Sequence, residues 1–134
     1  IGTKPHIPQM EHARRLDDIV LCFMIEKEEA MDHIEEICSI PGVDMVQFGP
    51  SDYSMSAGKN RSDYAEECKA AERKMIEVAL KHGVAPRCEI PTPEAAEYYV
   101  KLGVRHFSLG DQLKVLKDFW INSGEKIRAI ADAT

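Results

Sequence analysis

Glu26 and Asp52 stand at the outgoing ends of two apolar runs, residues 19–25 and 45–48, and their chemistry suits a divalent cation. A hard cation such as Mg²⁺ takes oxygen ligands, is commonly held by one or two carboxylates, and keeps waters that a substrate can displace. Between the two acids, Gly49, Pro50 and Ser51 form a turn that lets backbone come close and points successive N–H groups outward, a small anion-binding nest. A cation beside such a nest suits a 2-oxo acid: the metal chelates the carboxylate and keto oxygens while the N–H groups of Ser51 and Asp52 hold the carboxylate. The spacing leaves a plainer reading open, in which Glu26 caps the next helix and Asp52 is an ordinary turn residue.

Other residues carry weaker signals. Arg87 and Glu89 alternate on one face of an expected strand, with Cys88 and Ile90 on the other. Arg87 is then either an anchor for a distal carboxylate of the substrate, fixed by Glu89, or half of a structural ion pair. His106, near the start of a strand, reads as a satisfied core histidine. His33 and His82 fall on solvent-facing helical positions, and Phe119 with Trp120 reads as helix-to-barrel or subunit packing.

These residues need elements to position them. Residues 19–25, 45–48, 85–90 and 104–109 read as strands, and each is followed by a helical pattern. The helices are expected over 28–39, 63–82, 93–103 and, as a closing pair broken at Asn122-Ser123-Gly124, over 112–120 and 125–133. A short polar helix is expected over 10–18, and a Ser/Gly/Asn-rich loop over 53–62. Gly83 is placed to stop the longest helix and Thr92 to cap the next. Strict alternation of strand and helix implies a parallel α/β sheet. In a parallel β-α-β unit both strands run the same way, so Glu26 and Asp52 reach the same edge, where α/β proteins bind ligands. No phosphate-binding glycine loop follows any strand, which favours part of a (β/α)8 barrel over an open nucleotide-binding sheet. Such barrels take about 250 residues, and this chain has 134.

Composition bounds the rest. The chain is 44% hydrophobic and 30% charged, a globular balance suited to a single domain over 1–134. A net charge of −6 offers no basic stripe for nucleic acid. The four cysteines, Cys22, Cys38, Cys68 and Cys88, form no CxxC pair and read as buried free thiols of a reducing compartment. No apolar run approaches the roughly 20 residues needed to span a bilayer, and no leader pattern is visible. The expectation is a cytoplasmic protein with no membrane partner.

Met24-Ile25-Glu26, Pro41-Gly42-Val43-Asp44, residues 48–54 (FGPSDYS) and residues 102–110 (LGVRHFSLG) together resemble the HpcH/HpaI family of class II, metal-dependent pyruvate aldolases. The resemblance covers nearly the whole chain and corresponds to the second half of that family's (β/α)8 TIM barrel. It implies Glu26 and Asp52 as ligands of Mg²⁺, Mn²⁺ or Co²⁺, with Ser51 touching the pyruvate carboxylate through its backbone. The implied reaction is reversible cleavage of a 4-hydroxy-2-oxo acid to pyruvate and an aldehyde, with the metal as Lewis acid for the enolate. The family's catalytic His–Asp pair and transition-state Arg belong to the first half, so this polypeptide alone is expected to be inactive. Met24 stands where the type member has Gln, and Gln112 stands at the usual Asp position, with Asp111 one place earlier. A homo-oligomer is implied. The alternatives are a citrate-lyase-like or malyl-CoA-type C–C lyase, and a non-catalytic half-barrel that needs a partner chain.

Overall fold

The computed structural model describes residues 7–133. Four parallel strands form one sheet in the order β1-β2-β3-β4: β1 Cys22–Ile25, β2 Met45–Phe48, β3 Ala85–Ile90 and β4 His106–Leu109. The helices are α1 Gln9–Leu16, α2 Glu28–Asp32, α3 Ile34–Cys38, α4 Pro50–Ser56, α5 Ala65–Lys81, α6 Ala96–Lys101 and α7 Gln112–Asp132, with a 3₁₀ turn over Pro93–Ala95. Sequential parallel strands with helical crossovers give the expected α/β layering of a partial barrel.

The core lies between one face of the sheet and α3 and α5. Ile25, Val46, Phe48, Cys88 and Ile90 point into it from the strands. Cys68, Ala71, Met75, Ile76, Val78 and Ala79 meet them from α5, spaced to share one helical face. Gly83 takes φ +74° just after α5, the left-handed stop that glycine adopts without strain. The opposite face carries a row of register partners, Met24, Gln47, Arg87 and His106, one from each strand.

Several expectations are corrected. Strand β1 begins at Cys22, not Ile19, because β2 begins at Met45 and offers no ladder to earlier residues. The Leu21 N–H instead bonds the Asp44 carboxylate at 2.8 Å. The helix expected over 28–39 is divided at His33, whose φ −102° and ψ 16° leave the helical basin. The loop expected over 53–62 is largely helix α4, anchored by buried Tyr53 and Ser54. Tyr53 lies between Phe48, tilted at 5.0 Å between ring centres, and Tyr64, stacked at 6.2 Å. The two closing helices are one helix of 21 residues.

Side-chain expectations shift as well. All four cysteines are free, but Cys22 is exposed and only Cys38, Cys68 and Cys88 are buried. Burial pushes the Cys88 thiol up to about 12. His106 is exposed rather than in the core. His33 faces solvent as expected and pairs with Glu36. His82 does not: its ring bridges the Glu35 carboxylate and the Ser39 hydroxyl, tying α5 to α3. Phe119 and Trp120 stand edge-to-face, 59% and 68% exposed, packing on each other rather than on the sheet. Among the described residues, no helix is long and apolar enough to cross a membrane.

Candidate functional site

The site forms at the edge where the strands end. Ile25 and Phe48 are register partners, so Glu26 and Gly49 leave the sheet side by side. The contact is close: a methyl group on Gly49 would lie 2.9 Å from Glu26 Cβ and 3.1 Å from Glu26 Oε2. Only a residue without Cβ lets this half-buried carboxylate sit against the turn.

Pro50 occupies the first position of α4, where its missing N–H costs nothing. The N–H groups of Ser51 and Asp52 follow as first-turn donors, and no side chain caps them. Several bonds fix this turn. The Ser54 hydroxyl donates to the Ser51 carbonyl at 2.9 Å, and the Cys68 thiol donates to the Pro50 carbonyl at 3.6 Å. Arg61 Nη1 donates to the Ser51 hydroxyl at 3.3 Å. The far end of α4 is held too, because the Ser56 hydroxyl accepts from the Glu28 N–H at 3.1 Å.

Gly49, Ser51 and Asp52 line a cavity of about 1000 Å³ that reaches between α5, the end of β3 and the start of α7. Glu26 stands beside Gly49, outside that lining. The structure therefore brings Glu26, Gly49, Ser51 and Asp52 to one edge and sets Arg87 apart. Arg87 lies within the sheet and donates to the Oε1 of buried Gln47 on the neighbouring strand, so its partner is Gln47 and not Glu89. Glu89, one step nearer the edge, lines the cavity.

Two carboxylates at one edge are the donor type that a hard cation takes. Neither the Glu26 nor the Asp52 side chain has a hydrogen-bond or ion-pair partner among the described residues, and no soft ligand accompanies them. No group of three or more potential metal-ligating side chains occurs among the described residues. A cation here would rely on two carboxylates, with water or substrate oxygens completing its shell, as Mg²⁺ commonly does.

Two wall features were not legible in the sequence. Glu72 and Tyr99 share a hydrogen bond of 3.1 Å, with the tyrosine hydroxyl as donor. Burial pushes the Glu72 carboxyl up, outweighing that bond, and burial with the Glu72 charge pushes the Tyr99 hydroxyl up as well. Their spacing across two helices left no local signal. Asp111 caps α7, accepting from the Leu113 N–H at 2.6 Å and the Lys114 N–H at 3.2 Å. That gives the acidic residue after β4 a structural job.

A parallel sheet with helical crossovers and a cavity at its strand ends is the architecture of a partial (β/α)8 barrel. Residues 5–118 match the family described as HpcH/HpaI aldolase/citrate lyase, and the chain belongs to that family. It is 31% identical over 94 residues to the 4-hydroxy-2-oxo-heptane-1,7-dioate aldolase of Escherichia coli, covering 70% of this chain and 36% of that protein. It is 29% identical over 101 residues to the hydroxypyruvate/pyruvate aldolase of Delftia acidovorans, covering 75% of this chain and 38% of that protein. The chain thus spans little more than a third of the length of these relatives. The crystal structure of an HpcH/HpaI aldolase from Desulfitobacterium hafniense DCB-2 superposes with a TM-score of 0.74 at 23% identity, over 93% of this chain and 49% of that one. That likeness shows the fold.

Proposed function

We propose that this chain supplies the metal-binding and oxo-acid-binding wall of an aldolase that reversibly cleaves a 4-hydroxy-2-oxo acid to pyruvate and an aldehyde. The observation that carries the reading is the packing of Glu26 against Gly49 at the strand edge, with Asp52 in the turn that follows. The names of the E. coli and Delftia relatives support the reaction class. Glu26 and Asp52 would hold Mg²⁺, Mn²⁺ or Co²⁺, and the bound cation would supply Lewis-acid polarisation of the substrate.

The chain's own groups do the rest of the positioning. Gly49 leaves room for the Glu26 side chain against the turn, and the N–H groups of Ser51 and Asp52 would donate to a carboxylate. The bonds from Ser54, Cys68 and Arg61 hold that turn ready before substrate arrives, so little reorganisation opposes binding. Arg87, braced by Gln47, stands on the same face of the sheet as Glu26 but away from the cavity lining. The proton-transfer groups come from outside this chain, so the polypeptide alone binds ligand without turnover. The apolar residues exposed along α7 support a homo-oligomer. The family's joint description keeps a citrate-lyase-type C–C cleavage as the second reading, distinguished by turnover of a CoA thioester.

Mn²⁺ titration followed by paramagnetic resonance tests the assignment. One site is expected, weakened at least about tenfold in Glu26→Gln and in Asp52→Asn, because each removes one of two charged ligands. Unchanged affinity in both variants overturns the metal assignment. In complex with the matching first half, pyruvate release from 4-hydroxy-2-oxo acids should stop with EDTA and return with Mg²⁺ or Mn²⁺.

A further inference from the structure

Three basic side chains line the edge cavity, Arg61, Lys69 and Lys114, and two are already neutralised. Lys69 Nζ lies 2.7 Å from Glu66 Oε1, and Lys114 pairs with Asp118. Arg61 has no carboxylate partner among the described residues; its hydrogen bond goes to the neutral Ser51 hydroxyl. A guanidinium carries five N–H donors, so most of its donor capacity stays available.

The turn that carries Arg61 is braced rather than loose. The Lys59 N–H bonds the Ser54 carbonyl at 2.9 Å, which ties the turn to α4. Asp63 accepts from Asn60 Nδ2 at 3.1 Å and from the Ser62 hydroxyl at 2.9 Å, closing the turn on the other side. The guanidinium charge reaches the inner wall, where it opposes the effect of burial at Cys68 and Glu72. A three-carbon oxo acid at the Glu26–Asp52 edge would leave most of a cavity of about 1000 Å³ unfilled, since even drug-sized ligands occupy pockets of roughly 300–1,000 Å³.

We propose that Arg61 is a specificity-determining residue that receives a second carboxylate of the substrate, so that the site prefers dicarboxylic oxo acids to monocarboxylic ones of equal length. The proposal rests on the oxo-acid reading above. An arginine suits the task because its planar fork matches a carboxylate in two parallel hydrogen bonds.

Calorimetry on the 134-residue chain, with 2-oxoglutarate and 2-oxopentanoate as probes and with or without Mn²⁺, tests it. The parent chain should bind 2-oxoglutarate about tenfold more tightly than 2-oxopentanoate, and Arg61→Gln should reduce that ratio to about two. In the variant 2-oxopentanoate should lose far less affinity than 2-oxoglutarate, since both acids share the turn whose Ser51 hydroxyl Arg61 bonds while only the second carboxylate reaches the guanidinium. Arg61→Lys should keep part of the preference, and its circular dichroism should match the parent's. Equal binding of the two acids by the parent, no binding of either, or a preference that survives Arg61→Gln overturns the proposal. If Mn²⁺ fails to bind while the preference still depends on Arg61, the metal assignment falls and the Arg61 assignment stands.

Discussion

Gly49 is tolerable only as glycine while Glu26 stands where it does. A Cβ at that position would overlap the Glu26 side chain, and either the carboxylate or the turn would have to move. Overpacking of this kind costs about 1–3 kcal/mol. Gly49→Ala is therefore expected to lower the urea midpoint by a corresponding amount and to weaken Mn²⁺ at least about tenfold. Parent-like stability and Mn²⁺ affinity in the variant would show that the close approach has no role. The pairing of Glu26 with the turn at 49–52 could be read from the sequence, because strand–helix–strand alternation fixes which residues share an edge. Arg61 could not. It sits 10 residues from Ser51, within a segment whose Ser/Gly/Asn content reads as loop, and its value depends on where helix α4 carries the chain.

At the scale of elements, α3 and α5 are joined by one polar clamp in addition to their apolar contact. The His82 ring and the Lys81 ammonium both reach the Glu35 carboxylate, and their hydrogen bonds, that of His82 first, hold it below its ordinary value. A carboxyl whose folded value is depressed adds stability that is present above its unfolded value and disappears as the pH falls through the folded one. Urea midpoints measured between roughly pH 6 and pH 3 should fall more gently in Glu35→Gln than in the parent. Identical slopes would mean that the clamp is idle. The element boundaries that the sequence misplaced have separate origins. Gly124 costs only about 1 kcal/mol relative to alanine inside a helix, too little to break a helix of 21 residues that Asp111 caps at its start. Conversely, Gly49 followed by Pro50 was a legible helix start, masked by the polar composition beyond it. His33 interrupts the 28–39 segment with no proline or glycine to announce it.

At the scale of the molecule, the sheet has one finished face and one open one. The finished face carries the core. The open face presents Met24, Gln47, Arg87 and His106 as a cross-strand row, with β1 and β4 as outer strands among the described residues. Alternation of Arg87 and Glu89 with Cys88 and Ile90 made the two faces legible in β3, and the family resemblance gave the open face its meaning as a barrel interior. The exposure of α7 was not legible, since its apolar spacing resembles that of a packed helix. Leu113, Leu116, Phe119, Trp120 and Ile127 are all more than half exposed.

The uneven burial of the cysteines has a practical consequence. Three thiols lie under cover and their protons are held more tightly by burial, while Cys22 is open to solvent on the strand that leads to Glu26. A maleimide spin label or fluorophore added in slight excess to the native protein should settle on Cys22 alone, with the remaining three reacting only in denaturant. A reporter would then sit on β1 with no engineered mutation, close enough to Glu26 for paramagnetic broadening to register a captured Mn²⁺. Broad labelling of the native chain at several thiols would reveal a more open core than the one described.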